Sequence, residues 1–495
     1  MKYHKWVGLV FAFLIIMFAV SGIVMNHRKL FSGIDVPRSI LPKDYYYNNW
    51  NNASVKGSIK ISPDSVLLYG GSGVWLTDSL QSQFQFFCDG FHKGADNHIV
   101  SRIVKTGNNI FATTTFNIFK LENDKWIDIT HLTDVNERIS DMEICGDTLV
   151  VMSRSNIYYS VLPFNQFHKK ELAKPSDYEA KTNMFRFLWL LHSGELFGIA
   201  GKLFVDLLGI LLIIVSVTGI LYFFFPKIIK RRKKKDKPVK KLVKSMKSTI
   251  NWHNKISITF LVFFFILAFS GMFLRPPLLI AVIRAKLPNI PGTVLNSRNP
   301  WHDKLRTIRH DRNSNTWIIY TSSGFYRVTD FNDTPVKIAN TPPVSVMGVT
   351  VLEPTAKGWL TGSFSGLFYW EPETGKVFDC YTGQPVIGRR AGRPVSTNPI
   401  SGYSGDFNGY VVFEYEKGVK HFGGEFKPMP NELEKGRMSL WHLALEIHTG
   451  RIYSSVIGPF SDLYIFLSGV IVILLLISGY ALYRRKKGYK IKSTQ

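Results

Sequence analysis

Leu191-His192-Ser193-Gly194-Glu195-Leu196-Phe197 and Ile447-His448-Thr449-Gly450-Arg451-Ile452-Tyr453 are two versions of one heptapeptide, and each leads into a long apolar run. An aspartate stands fourteen positions after each histidine, Asp206 and Asp462, and each run closes on a small pair, Thr218-Gly219 and Ser478-Gly479. The second copy is four residues longer between aspartate and pair, close to one helical turn, so the face is roughly kept. These runs, about Leu203 to Phe225 and Leu463 to Tyr483, reach the roughly 20 residues a helix needs to cross a bilayer core. Two further runs qualify, Trp6 to Met25 (WVGLVFAFLIIMFAVSGIVM) and Ile256 to Leu274. They share a template of their own: His4 precedes Ser21-Gly22 by seventeen positions, and His253 precedes Ser270-Gly271 by the same seventeen. A removable signal peptide has no reason to copy a later span, and no A-x-A site follows the first run, so it reads as a span.

The pattern predicts a four-helix transmembrane bundle built from two repeated helix pairs, each pair separated by a large β-rich outer segment. The expected boundaries are 1–27 for the first helix, 28–185 for the first outer half, and 186–226 for a flank with the second helix. A basic loop then covers 227–252, the third helix 253–275 and the second outer half 276–438. A flank with the fourth helix (439–484) and a basic tail (485–495) complete the chain. The net charge of +25 invites a nucleic-acid reading. Its location argues otherwise: Lys227 to Lys247 is almost solidly basic, and the tail opens Arg484-Arg485-Lys486-Lys487, both directly after a span. Such runs are retained in the cytoplasm and touch anionic lipid. Both termini are therefore expected in the cytoplasm of an inner-membrane protein, with the large segments in the periplasm or exterior and no nucleic-acid partner. Three cysteines, Cys88, Cys145 and Cys380, give neither a disulfide framework nor a zinc site, and at most one pair, such as Cys88–Cys145, could close.

Both outer segments alternate apolar strands, small polar turns and aromatic strands. The unit appears at Ser65–Tyr69 with Gly73–Leu76, Asn109–Ala112 with Asn117–Phe119, and Thr148–Val151 with Asn156–Tyr159. It recurs at Trp317–Tyr320 with Gly324–Tyr326, Gly358–Thr361 with Gly366–Trp370, and more weakly at Tyr410–Phe413 with Gly418–Val419. Turn-to-turn steps of 44, 39 and 42 residues suit propeller blades of about 40 to 45. Two arrangements fit: one composite propeller of about six blades, half from each segment, serving as a lid or docking platform, or two separate small β-domains.

Four repeat-related histidines bracket the helices, His4 and His253 on the cytoplasmic side, His192 and His448 on the outer side. Ionisable side chains at membrane depth tend to be functional, and neutral imidazole is a favoured axial ligand of haem iron. Two symmetric pairs suit two b-type haems, whose iron His4, His253, His192 and His448 would ligate. His27 and His442 are secondary candidates, although Arg186 occupies the repeat position of His442. Covalent c-type attachment is excluded for want of C-x-x-C-H. The Ser/Thr-Gly pair of every span reads either as close helix packing or as room for a planar cofactor. Asp206 and Asp462 read as helix caps or as supports for a ligand histidine.

A histidine at a span's start with a Ser/Thr-Gly pair near its end, and L-H-x-G-x-x-(F/Y) before the partner span, resembles the PepSY-associated transmembrane family. The resemblance covers the helices and their flanks; the outer segments carry no evident PepSY domain. It implies an inner-membrane reductase acting on ferric siderophores in the periplasm, with haem among the helices, and it carries His4, His192, His253 and His448 over as ligands without fixing how they pair. The chain shows no flavin or nucleotide segment, so quinol or a separate reductase would supply electrons. The expected function is thus haem-mediated electron transfer across the membrane to a ferric chelate. The alternative is a membrane-anchored sensor or scaffold whose β-domain binds a ligand or partner without redox chemistry. Ion transport fits less well, since the spans lack midplane charge beyond the two shallow aspartates.

Overall fold

The structure is a computed structural model that describes residues 2–356, 358–386, 396–407, 409–423 and 425–492, with side chains from 3 to 485 within those ranges. The last residues of the expected tail, 493–495, and the stretch 387–395 of the second outer half lie outside the described residues. The chain divides into a helical unit (1–31, 180–297, 440–495) and a β unit (32–179, 298–439).

Among the described residues, seven helices of nine or more residues frame the helical unit. They are α1 (Lys2–Asn26), α2 (Met184–Ser193), α3 (Gly198–Lys233), α4 (Lys240–Thr259), α5 (Leu261–Met272), α6 (Leu440–His448) and α7 (Ser461–Lys492). Stretches 3–26, 195–233 and 451–485 are each long and apolar enough to span a membrane. The α4–α5 pair qualifies only when taken together, because the two helices meet at 66°. The third run is therefore a bent pair and not the straight span expected from its length. The break falls at Phe260, whose φ and ψ of −105° and 12° leave the helical region. Outward faces are apolar, as at Val10, Phe13, Val262 and Leu474, all more than half exposed, which suits hydrocarbon and not water.

The basic segment, expected to be a loop, is mostly helix. α3 runs on past Pro226 to Lys233, and α4 starts at Lys240, leaving only residues 234–239 as a turn. Lysine and arginine lose little rotamer freedom in a helix, so charge alone does not end one. At 36 residues α3 is about 54 Å long, well beyond a core of about 30 Å, and its last turns carry Lys230, Arg231, Arg232 and Lys233.

Six antiparallel sheets make up most of the β unit, five of four strands and one of three, each meandering in sequence order. Their first strands are Gly57–Ser62, Val100–Thr106, Ile139–Cys145, Leu305–Asp311, Val349–Pro354 and Ile400–Phe407. All six strand–turn–strand units read in the sequence fall on the second and third strands of these sheets. Every first strand also carries a bulge, for example between Val100 and Arg102 and between Ile139 and Asp141. The first strands neighbour one another in order, and the sixth returns to the first, where the Tyr403 amide donates to the Lys56 carbonyl at 3.1 Å.

Each neighbouring pair of sheets shares a core. Val150, Met152 and Ile157 pack with Trp301, Leu305 and Ile308, and so join the two outer segments; Trp50, Leu68 and Trp75 join them again with Val411 and Phe413. A buried charge network adds to this. Arg309 pairs with Asp141 at 2.6 Å and donates to the Leu352 carbonyl at 2.9 Å, while Arg102 binds Glu353 and lies 3.6 Å from Glu143. Removing one member of such a network strands its partners' charge away from water.

Cys88, Cys145 and Cys380 are all free thiols. Burial pushes the Cys88 thiol up to about 12, and Val74 donates its amide to the sulfur at 3.2 Å. Folded protein should therefore leave Cys88 unmodified by maleimide at pH 8, with labelling only on denaturation; mass spectrometry of the Cys88 peptide reads this. Trp301 is 2% exposed and donates Nε1–H to the Ala173 carbonyl at 2.9 Å. Trp301→Ala should destabilise the β unit by about 3 to 5 kcal/mol, read as a lower denaturation midpoint of the detergent-solubilised chain.

Candidate functional site

Each of the four repeat-related histidines inserts its ring into the Ser/Thr-Gly notch of another helix. His448, the last residue of α6, packs on Ser21-Gly22 of α1: its Nδ1 lies 3.1 Å from the Phe18 carbonyl and 3.0 Å from Ser21 Oγ. His192, near the end of α2, packs on Ser270-Gly271 of α5, with Nδ1 3.0 Å from the Leu267 carbonyl and 3.4 Å from Ser270 Oγ. His253 of α4 meets Thr218-Gly219 of α3, with Nδ1 3.0 Å from the Val215 carbonyl and 3.3 Å from Thr218 Oγ1. His4 of α1 meets Ser478-Gly479 of α7, with Nδ1 2.9 Å from Ser478 Oγ.

The glycines matter sterically. A Cβ on Gly271 would stand 2.7 Å from His192 Cε1, on Gly479 3.2 Å from His4, on Gly22 3.3 Å from His448 and on Gly219 3.4 Å from His253. The small pairs thus admit an imidazole edge. Neither sequence reading of these pairs named a histidine ring as what the notch receives.

Docking is reciprocal. α1 gives His4 to α7 and receives His448 from the segment leading into α7. α4–α5 gives His253 to α3 and receives His192 from the segment leading into α3. Two cross-pairs result. His192 and His448 have ring centres 6.0 Å apart at an interplanar angle of 61°, and His4 and His253, docked on α7 and α3, likewise take one ring from each half of the repeat. Along α1, seventeen residues separate His4 from Ser21, where His448 docks, which is about 25 Å of helix.

The heptapeptide repeat has a backbone reason. Gly194 and Gly450 both adopt positive φ, 79° and 75°, the left-handed conformation that ends a helix and favours glycine. They stop α2 and α6 just after the histidine and turn the chain into the following span. Gly194 also lies against Gly201 too closely for side chains: a Cβ would come within 2.2 Å of the Gly201 carbonyl oxygen.

The other sequence candidates fall elsewhere. His27 Nε2 binds Asp206 Oδ2 at 2.6 Å, and Asn26 donates to Oδ1 of the same carboxylate at 3.0 Å. Asp206 therefore steadies His27 and Asn26, and none of the four docked histidines. His442 lies 3.5 Å from Glu446, which Arg451 also holds. Asp462 pairs with Arg275 at 2.7 Å. Asn26 and Arg275 are repeat mates, each twenty-two residues after the histidine of its span. The sequence reading missed both, although that equal spacing was the available signal. It also missed the hydroxyls and carbonyls that receive the histidines. Among the described residues no group of three or more His, Cys, Asp or Glu side chains gathers to hold a metal ion.

Apolar helices with outward-facing side chains, joined to a unit of small antiparallel sheets, define an integral membrane protein. The chain belongs to the family described as the PepSY-associated TM region, matched over residues 1–225 and 227–486, a division that coincides with the internal repeat. A comparison with curated proteins finds no match. Among solved structures, the chain is similar to the extracellular domain of BT4673 from B. thetaiotaomicron, at 12% identity and a TM-score of 0.36, covering 76% of this chain and 39% of that one. A Bacteroides thetaiotaomicron protein of unknown function shows 10% identity and a TM-score of 0.36, with 79% of this chain and 73% of that one covered. PorZ of Porphyromonas gingivalis shows 9% and 0.28, with 76% and 37% covered. Likeness at this level carries no functional meaning.

Gly194→Ala should lower stability by at least about 1 to 2 kcal/mol from the left-handed backbone alone, with the Gly201 contact adding to it. Ser193→Ala, beside it, should be close to neutral. Thermal melts of the two purified variants make the comparison.

Proposed function

We propose that the helical unit holds two b-type haems, one between His4 and His253 and one between His192 and His448, and passes electrons across the membrane. The acceptor would be a ferric chelate such as a siderophore, by family resemblance, and the donor a quinol or a separate reductase. The observation that carries this reading is the histidine arrangement: two pairs, near opposite ends of α1, each ring making its hydrogen bonds through Nδ1. A metal-ligating histidine usually spends one ring nitrogen on a carbonyl or carboxylate and offers the other.

The donor set suits the group. His192 and His448 stand with ring centres 6.0 Å apart, so these two imidazoles would hold the outer iron. Bound there, haem supplies one-electron exchange. The protein's own part is to hold four neutral imidazoles at two depths, shielded by Phe18 beside His448 (5.6 Å between ring centres) and by the surrounding apolar helices.

Charge supports the orientation. The Lys227–Lys247 segment and the Arg484–Arg485 end fit the positive-inside rule, which supports reading both termini and the His4–His253 end as the cytoplasmic side of an inner membrane. The closed order of six bulged sheets and their shared cores support reading the β unit as one composite six-bladed propeller, three blades from each outer segment, able to receive an acceptor or partner.

The test is a visible spectrum of the full-length protein purified in detergent. A Soret band that shifts on reduction is expected, with haem content falling to about half when His192 and His448 are both changed to Ala. His4→Ala with His253→Ala should remove the other half. A colourless preparation, or haem content unchanged in both double variants, overturns the reading and leaves the sensor or scaffold in its place.

A further inference from the structure

We propose that the four Ser/Thr-Gly pairs are histidine receptors, positioning residues that lock each docked ring in the Nδ1–H tautomer and leave Nε2 as the basic nitrogen turned to ligand duty. The inference deepens the haem reading, since it concerns the same histidines, but its first test needs no haem.

The tautomer follows from which groups can donate. A backbone carbonyl only accepts, so the nitrogen facing the carbonyls of Phe18, Leu267 and Val215 must carry the proton. Each carbonyl belongs to the residue three before the Ser or Thr of the pair, and Leu475 holds that place before Ser478. The hydroxyls agree with this. Ser21, Ser270 and Thr218 each donate to the carbonyl four residues back, Met17, Ile266 and Ile214, at 2.7 Å, and Ser478 donates to Leu475 at 3.1 Å. With its proton committed within its own helix, each hydroxyl oxygen is left to accept from the histidine. Carbonyl and hydroxyl then share one N–H at His448, His192 and His253, while at His4 the Ser478 hydroxyl oxygen is the acceptor at 2.9 Å. Glycine completes the receptor by letting the ring edge approach to van der Waals distance.

A merely structural role for the glycines would make all four substitutions alike. The receptor reading orders them instead by the space left: Gly271→Ala most disruptive, then Gly479→Ala and Gly22→Ala, with Gly219→Ala least. The hydroxyl is the milder lever. Ser270→Ala and Ser21→Ala remove one of two acceptors without adding bulk, and the Thr variants at the same positions restore it.

The experiment is nitrogen NMR of the haem-free, full-length protein labelled with ring-¹⁵N histidine. His192, His448, His4 and His253, assigned by single replacement, should show a protonated Nδ1 and an unprotonated Nε2. Gly271→Ala should abolish that signature for His192 while leaving His253 unchanged, and Ser270→Ala should weaken it with rescue by Ser270→Thr. Finding the Nε2–H tautomer in the unaltered protein overturns the proposal. So does a Gly271→Ala protein whose His192 keeps its signature. A second readout uses haem-loaded protein: loss of the Nδ1–H bond makes the imidazole a weaker electron donor, so Ser270→Ala and Ser21→Ala should shift the midpoint potential of the outer site positive and leave the inner one alone. If no haem is bound, the function falls while the NMR still decides the receptors; if haem binds but neither tautomer nor potential responds, the receptors fall and the function stands.

Discussion

An imidazole N–H in a hydrocarbon setting has to find an acceptor, because water is absent and an unmet polar group costs several kcal/mol. The helical unit meets this demand with one device, complete at His192, His253 and His448 and reduced to the hydroxyl at His4. A Ser or Thr hydroxyl bends back onto its own helix, the carbonyl a turn earlier is already near, and a glycine beside them lets a foreign ring approach. Other features serve that contact. The left-handed glycines after His192 and His448 stop their short helices where the ring must leave. Asp206 and Asp462, fixed by Asn26 with His27 and by Arg275, tie the following span to the preceding one at matched positions.

Reciprocity gives the unit its logic. Neither half of the repeat places two histidines side by side by itself: each pair takes one ring from the first half and one from the second. The family match divides between residues 225 and 227, so the sequence unit and the geometric unit are not the same object. The sequence unit is a span, an outer segment and a span, whereas a docked histidine and its receptor bring together the first run with the fourth, or the second with the third.

Much of this was legible before any coordinates. Apolar length located the membrane-crossing runs, and repeat spacing singled out His4, His192, His253 and His448, each of which docks in a Ser/Thr-Gly notch, with His192 and His448 side by side. The six aromatic strand units landed on the second and third strands of six sheets because alternation and turn residues are local signals. The meaning of Ser21-Gly22 and its counterparts was not legible, since the histidine that each receives comes from another helix, 35 positions away for Thr218 and 427 for Ser21. The break at Phe260 was hidden for another reason: Ile256 to Leu274 contains neither a proline nor a charged residue to mark a bend. Cross-links such as Arg309 with Asp141 follow from how bulged strands neighbour one another, which no single-strand pattern encodes.

The β unit is discontinuous in the chain, and this sets a clock. Its first three sheets are complete by residue 170, yet the contact that closes their free side, Tyr403 to Lys56, involves residues made more than two hundred positions later. Between the two events the ribosome must complete helices α2 to α5 and their insertion. During that interval Leu68 and Trp75 lack Val411 and Phe413, Val150 and Met152 lack Trp301 and Leu305, and a sheet assembly with open apolar faces is the state most exposed to mispairing and proteolysis. Synthesis of this protein therefore contains a built-in waiting period, one that lengthens whenever insertion of the middle helices is slow.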